Sequence, residues 1–175
     1  IQSQQNHNGC IRINEIQMTP GIGKLAQSCR EWIELYNSSE TDSVDVNGFF
    51  IRTDIANNVA TPVFGDSKII SWDSQSPGVL PVEKTFGPLI VARTKIPPCG
   101  IALILDPTWN TGGAMVEDMD FPNDAMILTV SPHQNFGDNG GLIAPGGPNG
   151  QLNHIDGDFV SLWDGDPLLA GSSQI

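Results

Sequence analysis

Glycine and proline punctuate this chain so closely that long helices are ruled out before any other feature is considered. They occur 19 and 13 times in 175 residues and fall mostly between apolar runs rather than within them. A helix interior tolerates neither, and no segment keeps a helical apolar period beyond about two turns. The uninterrupted runs have the length of strands. Ile11-Arg12-Ile13-Asn14-Glu15-Ile16 alternates apolar and polar residues, which marks a half-buried strand. Glu31-Trp32-Ile33-Glu34-Leu35-Tyr36-Asn37 is a second strand. Its two acids also have helical spacing, but its aromatic content and the turn formers Asn37-Ser38-Ser39 that follow favour the extended reading.

The rest of the chain continues the pattern. Asn47-Gly48 is a strong turn signal, with a strand after it through Ile51. Weaker strands are expected over 59–64 and 68–72, and further ones over 89–93, 125–130 and 159–163. Ile101-Ala102-Leu103-Ile104-Leu105 is apolar throughout, so it belongs at the centre of a sheet with both faces covered. The Gly- and Pro-rich stretch 135–150 reads as a long loop. About eight or nine short strands separated by turns predict an all-β chain, a β-sandwich with long loops. Residues 1–10 are expected to form a flexible arm and residues 11–175 a single domain. No internal repeat is evident.

Charge narrows the functional classes. The net charge is −12, and no Lys or Arg follows Lys95, so residues 1–95 carry −2 and residues 96–175 carry −10. Such a field repels phosphate backbones and anionic lipid, which argues against nucleic-acid partners. It also keeps a chain soluble and monomeric. No run of about 18 apolar residues is present to span a membrane as a helix. Abundant Asn and Ser with few Lys suit an exported protein: secreted, periplasmic or on the cell surface. The chain opens on Ile1 rather than Met, which says nothing about a leader.

Several of these segments together resemble the lamin tail domain. The carriers are Ile13-Asn14-Glu15-Ile16, then Glu31-Trp32-Ile33-Glu34-Leu35-Tyr36-Asn37, then Val44-Asp45-Val46-Asn47-Gly48. Ile96-Pro97-Pro98-Cys99-Gly100-Ile101 and Asp158-Phe159-Val160-Ser161-Leu162-Trp163-Asp164 follow in the family's order. Asn14, Glu15, Trp32, Glu34, Tyr36, Asn37 and Gly48 are the positions of the signature. The resemblance implies an immunoglobulin-like sandwich. Without coiled-coil heptads, it points to the exported bacterial branch and to a noncatalytic structural or interaction module with a protein or glycan partner. The alternative is a carbohydrate-binding or calcium-dependent adhesion accessory domain, and a secreted hydrolase comes after that.

Candidate chemistry is sparse. Glu117, Asp118, Asp120 and Asp124 lie close enough in sequence to supply calcium oxygens, and Asp156, Asp158, Asp164 and Asp166 form a second acidic group. Neither group matches the EF-hand loop, and calcium is the one cofactor considered. Glu15 and Glu34 fall on adjacent strands, where facing carboxylates need a cation or a basic partner such as Arg12 or Arg52. Trp109 and Trp72 are candidates for a ligand surface. His7, His133 and His154 show no converging metal spacing, and no G-x-S-x-G, H-E-x-x-H or Walker sequence occurs, so an enzyme is not expected. With three cysteines at most one internal disulfide can form. A Cys29–Cys99 bridge would add about 4 kcal/mol by closing a long loop, while the competing reading leaves all three thiols buried and unpaired.

Overall fold

The computed structural model describes residues 9–17, 32–54, 67–75, 89–105, 124–131, 159–166, 169 and 171–175. The described part is all-β, with no α-helix and a single 3-10 turn at Trp72–Gln75. Its strands are β1 (Ile11–Gln17), β2 (Trp32–Asn37), β3 (Val44–Asp45), β4 (Phe50–Asp54), β5 (Ser67–Ser71), β6 (Lys95–Ile96), β7 (Ile101–Leu105), β8 (Met126–Ser131) and β9 (Phe159–Trp163). Seven of them form one sheet in the order β1-β2-β7-β8-β5-β4-β9, rolled nearly into a barrel, and β3 pairs with β6 in a separate two-stranded ribbon.

One face of the large sheet and the ribbon share a single core. Ile11, Ile33, Leu35, Ile51, Ile69, Ile104, Leu128, Val130 and Leu162 point into it from the sheet, and Val44 and Ile96 from the ribbon. The alternation read from β2 is met residue by residue, with Ile33, Leu35 and Asn37 buried and Trp32, Glu34 and Tyr36 half-buried. The apolar run in β7 is central as expected, lying between antiparallel β2 and parallel β8. Its opposite face, Leu103 and Leu105, packs with Trp72, Ala125 and Ile127 in a second apolar cluster, against which Trp32, Leu89 and Val91 are half-buried.

Three expectations need revision or extension. Residues 89–93 do not form a strand; only Ile90 makes a bridge, parallel to Met126. The chain leaves the sheet after Ser71, and Ile90 occupies the vacated place along β8, donating to the Ala125 carbonyl and accepting from Ile127. The run is apolar because Leu89 and Val91 cover the second cluster, not because they pair in a ladder. The Asn47-Gly48 turn exists, with Phe49 N–H bonded to Val46 C=O at 3.0 Å and Gly48 at φ 90°. However, it passes the chain from the ribbon to the large sheet rather than joining two paired strands. The ribbon strand β6 was not read from sequence. The expected strand over 59–64, the loop over 135–150 and residues 1–8 lie outside the described residues.

Candidate functional site

The Glu-Trp-Ile-Glu-Leu-Tyr-Asn segment places its residues on both sides of β2. Asn37, at the end of the strand, is fully buried. Its Nδ2 donates to the carbonyls of Asp42 at 2.8 Å, Ile96 at 3.2 Å and Pro97 at 2.9 Å, and its Oδ1 accepts from Ser39 N–H at 3.1 Å. One side chain thus ties the end of β2 to the turn after it and to the Pro97–Gly100 turn that leads into β7. In that turn Gly100 N–H bonds Pro97 C=O at 3.0 Å, and Cys99 takes a left-handed φ of 52°. A Cβ on Gly100 would lie 2.7 Å from Pro97 Cγ, so the turn closes only around glycine.

Above this turn stands Tyr36. The negative charge of an ionised Cys99, burial and a hydrogen bond with Cys99 all raise the Tyr36 phenol above its usual range, as does Glu40, with Arg12 opposing them. Cys99 is exposed and its Sγ–H reaches the Ser39 carbonyl at 3.7 Å. Cys29, its candidate disulfide partner, lies outside the described residues.

Glu15 and Glu34 are brought together as expected, directly opposite one another in the β1–β2 ladder. Register slips between Ile13 and Glu15, so Asn14 is the extra residue of a bulge, and its amide donates to Glu34. Of the two arginines considered as partners, Arg12 lies opposite Tyr36 in this ladder, and Arg52 has its backbone on β4 opposite Ser161. Among the described residues no group of three or more His, Cys, Asp or Glu could hold a metal. Glu117, Asp118 and Asp120 lie outside them, and Asp124 is an exposed turn residue at φ 61°. Asp164 Oδ1 accepts from Ser173 N–H at 2.6 Å, which helps fix the Ser173–Ile175 segment along β9. Asp156, Asp158, Trp109 and the three histidines are also outside the described residues.

Trp72 belongs to the interior. It is 5% exposed within the second cluster, which removes it from the ligand surface read from the sequence. Its neighbours do face solvent. A cleft of about 320 Å³ is lined by Asn47, Ser71, Ser74, Ala92, Arg93, Thr94 and Lys95. Its walls come from the β3–β4 turn, the end of β5 with the 3-10 turn, and the approach to β6. Backbone bonds pin them together: Asp73 N–H to Val91 C=O at 3.1 Å, Val46 N–H to Thr94 C=O at 3.1 Å, and Gly48 N–H to Ile69 C=O at 3.2 Å. Ser71 and Ser74 hydroxyls bond each other, and Thr94 Oγ1 donates to Asp45 Oδ1 at 2.7 Å. Asp45 Oδ1 also accepts Asn47 N–H at 3.0 Å, and Asp45 faces Lys95 in the ribbon. Among the described residues Arg93 and Lys95 have no ion-pair partner.

No protein-family model, curated protein or solved structure matches the chain.

None of the cleft residues was a candidate from sequence. The available signal was positional: Arg93 and Lys95 are the last two cations before a stretch of 80 residues with none.

Proposed function

We propose that the chain is a noncatalytic interaction module, an immunoglobulin-like β-sandwich of the lamin tail kind belonging to an exported bacterial protein. The observation that supports this reading most is the use made of the residues that resemble the family signature. Ile33 and Leu35 fill the core, and every bond of the buried Asn37 side chain goes to backbone. These residues hold turns and strands in place, which leaves surfaces such as the polar cleft to meet a partner. In this reading the module is monomeric and reaches its partner outside the cytoplasm, and calcium is its one candidate ion.

The accessory-domain reading is favoured by one feature, the cleft with its amide, hydroxyl and cationic lining. A glycan array separates the two. A blank array, with no turnover on ester, phosphoester and glycoside panels, is the result expected of a protein-binding module. Specific glycan signal moves the function to the accessory reading, and catalytic turnover refutes both in favour of a hydrolase. Melting in calcium against EGTA reports the ion: a structural site shifts the midpoint upward in calcium, and unchanged melting refutes it.

A further inference from the structure

We propose that the cleft between Asn47, Ser71, Ser74 and the Arg93–Lys95 segment binds an acidic saccharide, its carboxylate or sulfate held by Arg93 and Lys95 and its hydroxyls by Asn47 and the serine pair. The proposal rests on the second of the two readings above, the carbohydrate-binding accessory domain, and shares with the first only its noncatalytic character.

The lining sets the ligand's chemistry. Guanidinium and ammonium groups donate hydrogen bonds and cannot accept them. No carboxylate is among the described residues that line the cleft; Asp45, across the ribbon from Lys95, accepts from the Thr94 hydroxyl and Asn47 N–H, and among the described residues no ion pair joins it to either cation. In the Ser71–Ser74 pair one hydroxyl donates to the other, which leaves a single proton directed elsewhere. The site therefore offers an excess of donors and calls for a ligand rich in acceptors and negatively charged. Neutral sugar hydroxyls balance donor and acceptor; an acid group supplies the missing acceptors and gains charge-assisted bonds.

The position of the cations supports a specific use. In a chain of net charge −12, two of only eight basic residues stand two positions apart on one rim. At physiological ionic strength the Debye length is about 8 Å, so remote carboxylates are screened, and the cleft feels mainly the two cations of its lining and the neighbouring Asp45 and Asp73. A volume of about 320 Å³ suits a ligand of monosaccharide size. The backbone bonds that join Val91, Thr94 and Gly48 to their neighbours fix the three walls before any ligand arrives, which lowers the ordering cost of binding.

The test is a titration of the intact chain with D-glucuronate, D-glucose 6-sulfate, D-glucose and inorganic sulfate, followed through backbone amide NMR shifts. Either acid sugar is expected to move the amides of Asn47, Ser71–Ser74 and Arg93–Lys95, and the tighter of the two identifies the acid group. Glucose should bind about tenfold more weakly or worse, and Arg93→Ala or Lys95→Gln should each weaken the acid sugar about tenfold with melting unchanged. Both side chains are exposed, so these variants are expected to fold. The proposal is overturned if glucose matches the acids, if inorganic sulfate alone matches them, if the shifts fall elsewhere, or if no acid sugar binds. Absence of binding leaves the noncatalytic reading standing. Turnover of a bound glycoside refutes that reading while the amide shifts still locate the site.

Discussion

Replacing Asn37 by alanine tests the claim that one buried amide organises the start of β7 and the turn after β2. The side chain makes three donated contacts and one accepted contact, to Asp42, Ile96, Pro97 and Ser39. An amide has two N–H groups, so the three carbonyls share them and the set counts as about three full bonds, each worth about 1 kcal/mol net. Of the deserted carbonyls, Ile96 O is enclosed, and leaving it unsatisfied adds a desolvation cost; those of Asp42 and Pro97 are partly open to water. The total is about 3–4 kcal/mol, which for a chain this long lowers Tm by about 10 °C. Asn37→Asp keeps the shape but aims carboxylate oxygens at three carbonyls. It should be worse than alanine at neutral pH and recover part of the loss in acid, where the protonated group regains one donor. Urea unfolding of the three proteins at two pH values measures this. An Asn37→Ala cost below about 1 kcal/mol, or an aspartate variant better than alanine at pH 7, would refute the reasoning.

Other perturbations follow from the same geometry. Glu15→Lys replaces a like-charge pair facing Glu34 with an opposite-charge one and should stabilise by about 0.2–1 kcal/mol, a gain that salt erodes; a loss of stability in urea melts contradicts it. Tyr36 is the only tyrosine, so an alkaline absorbance titration follows it alone and should show a midpoint above the ordinary phenol value of about 10, falling in Cys99→Ala. Because the folded state keeps that proton longer than the unfolded chain, this contribution is intact below the unfolded value and is lost as pH rises through the folded one. Gly100→Ala meets Pro97 at 2.7 Å and should destabilise by about 1–3 kcal/mol; melting within 1 °C of the parent would mean that the turn opens freely.

What could be read in the sequence was whatever a local pattern carries. The alternation in β2 and the unbroken apolar run in β7 each state their own burial, because a strand repeats every two residues and a doubly covered strand has no polar face. The ribbon strand Lys95–Ile96 has only two residues, too few to show any period, and the prolines after it disguise it as part of a turn. Residues 89–91 misled for the opposite reason, since packing over a cluster demands the same apolar residues as pairing in a ladder. Asn37 read as a turn former. Its larger role depends on carbonyls 59 and 60 residues away, which no window around position 37 contains.

The cleft was illegible on the same grounds, yet its position follows from the apolar residues beside it. Trp72 lies between Ser71 and Ser74, and Val91 precedes Ala92; both apolar side chains are drawn onto the outer face of β7 and β8 by Leu103, Leu105 and Ile127. Burial of that second face therefore brings two segments of polar and cationic residues to the same rim, and the ribbon supplies the third wall through Val46 and Thr94. Seen this way, the doubly covered centre of the sheet does two jobs. It stabilises the fold through the apolar area it removes from water, and it sets Arg93 and Lys95 on a scaffold whose shape is fixed by hydrophobic contacts rather than by charge. Fixing the cations by packing requires no ion pair to hold them, and among the described residues they make none. A rim held together by salt bridges to the chain's many carboxylates would have neutralised the groups that a negatively charged ligand needs.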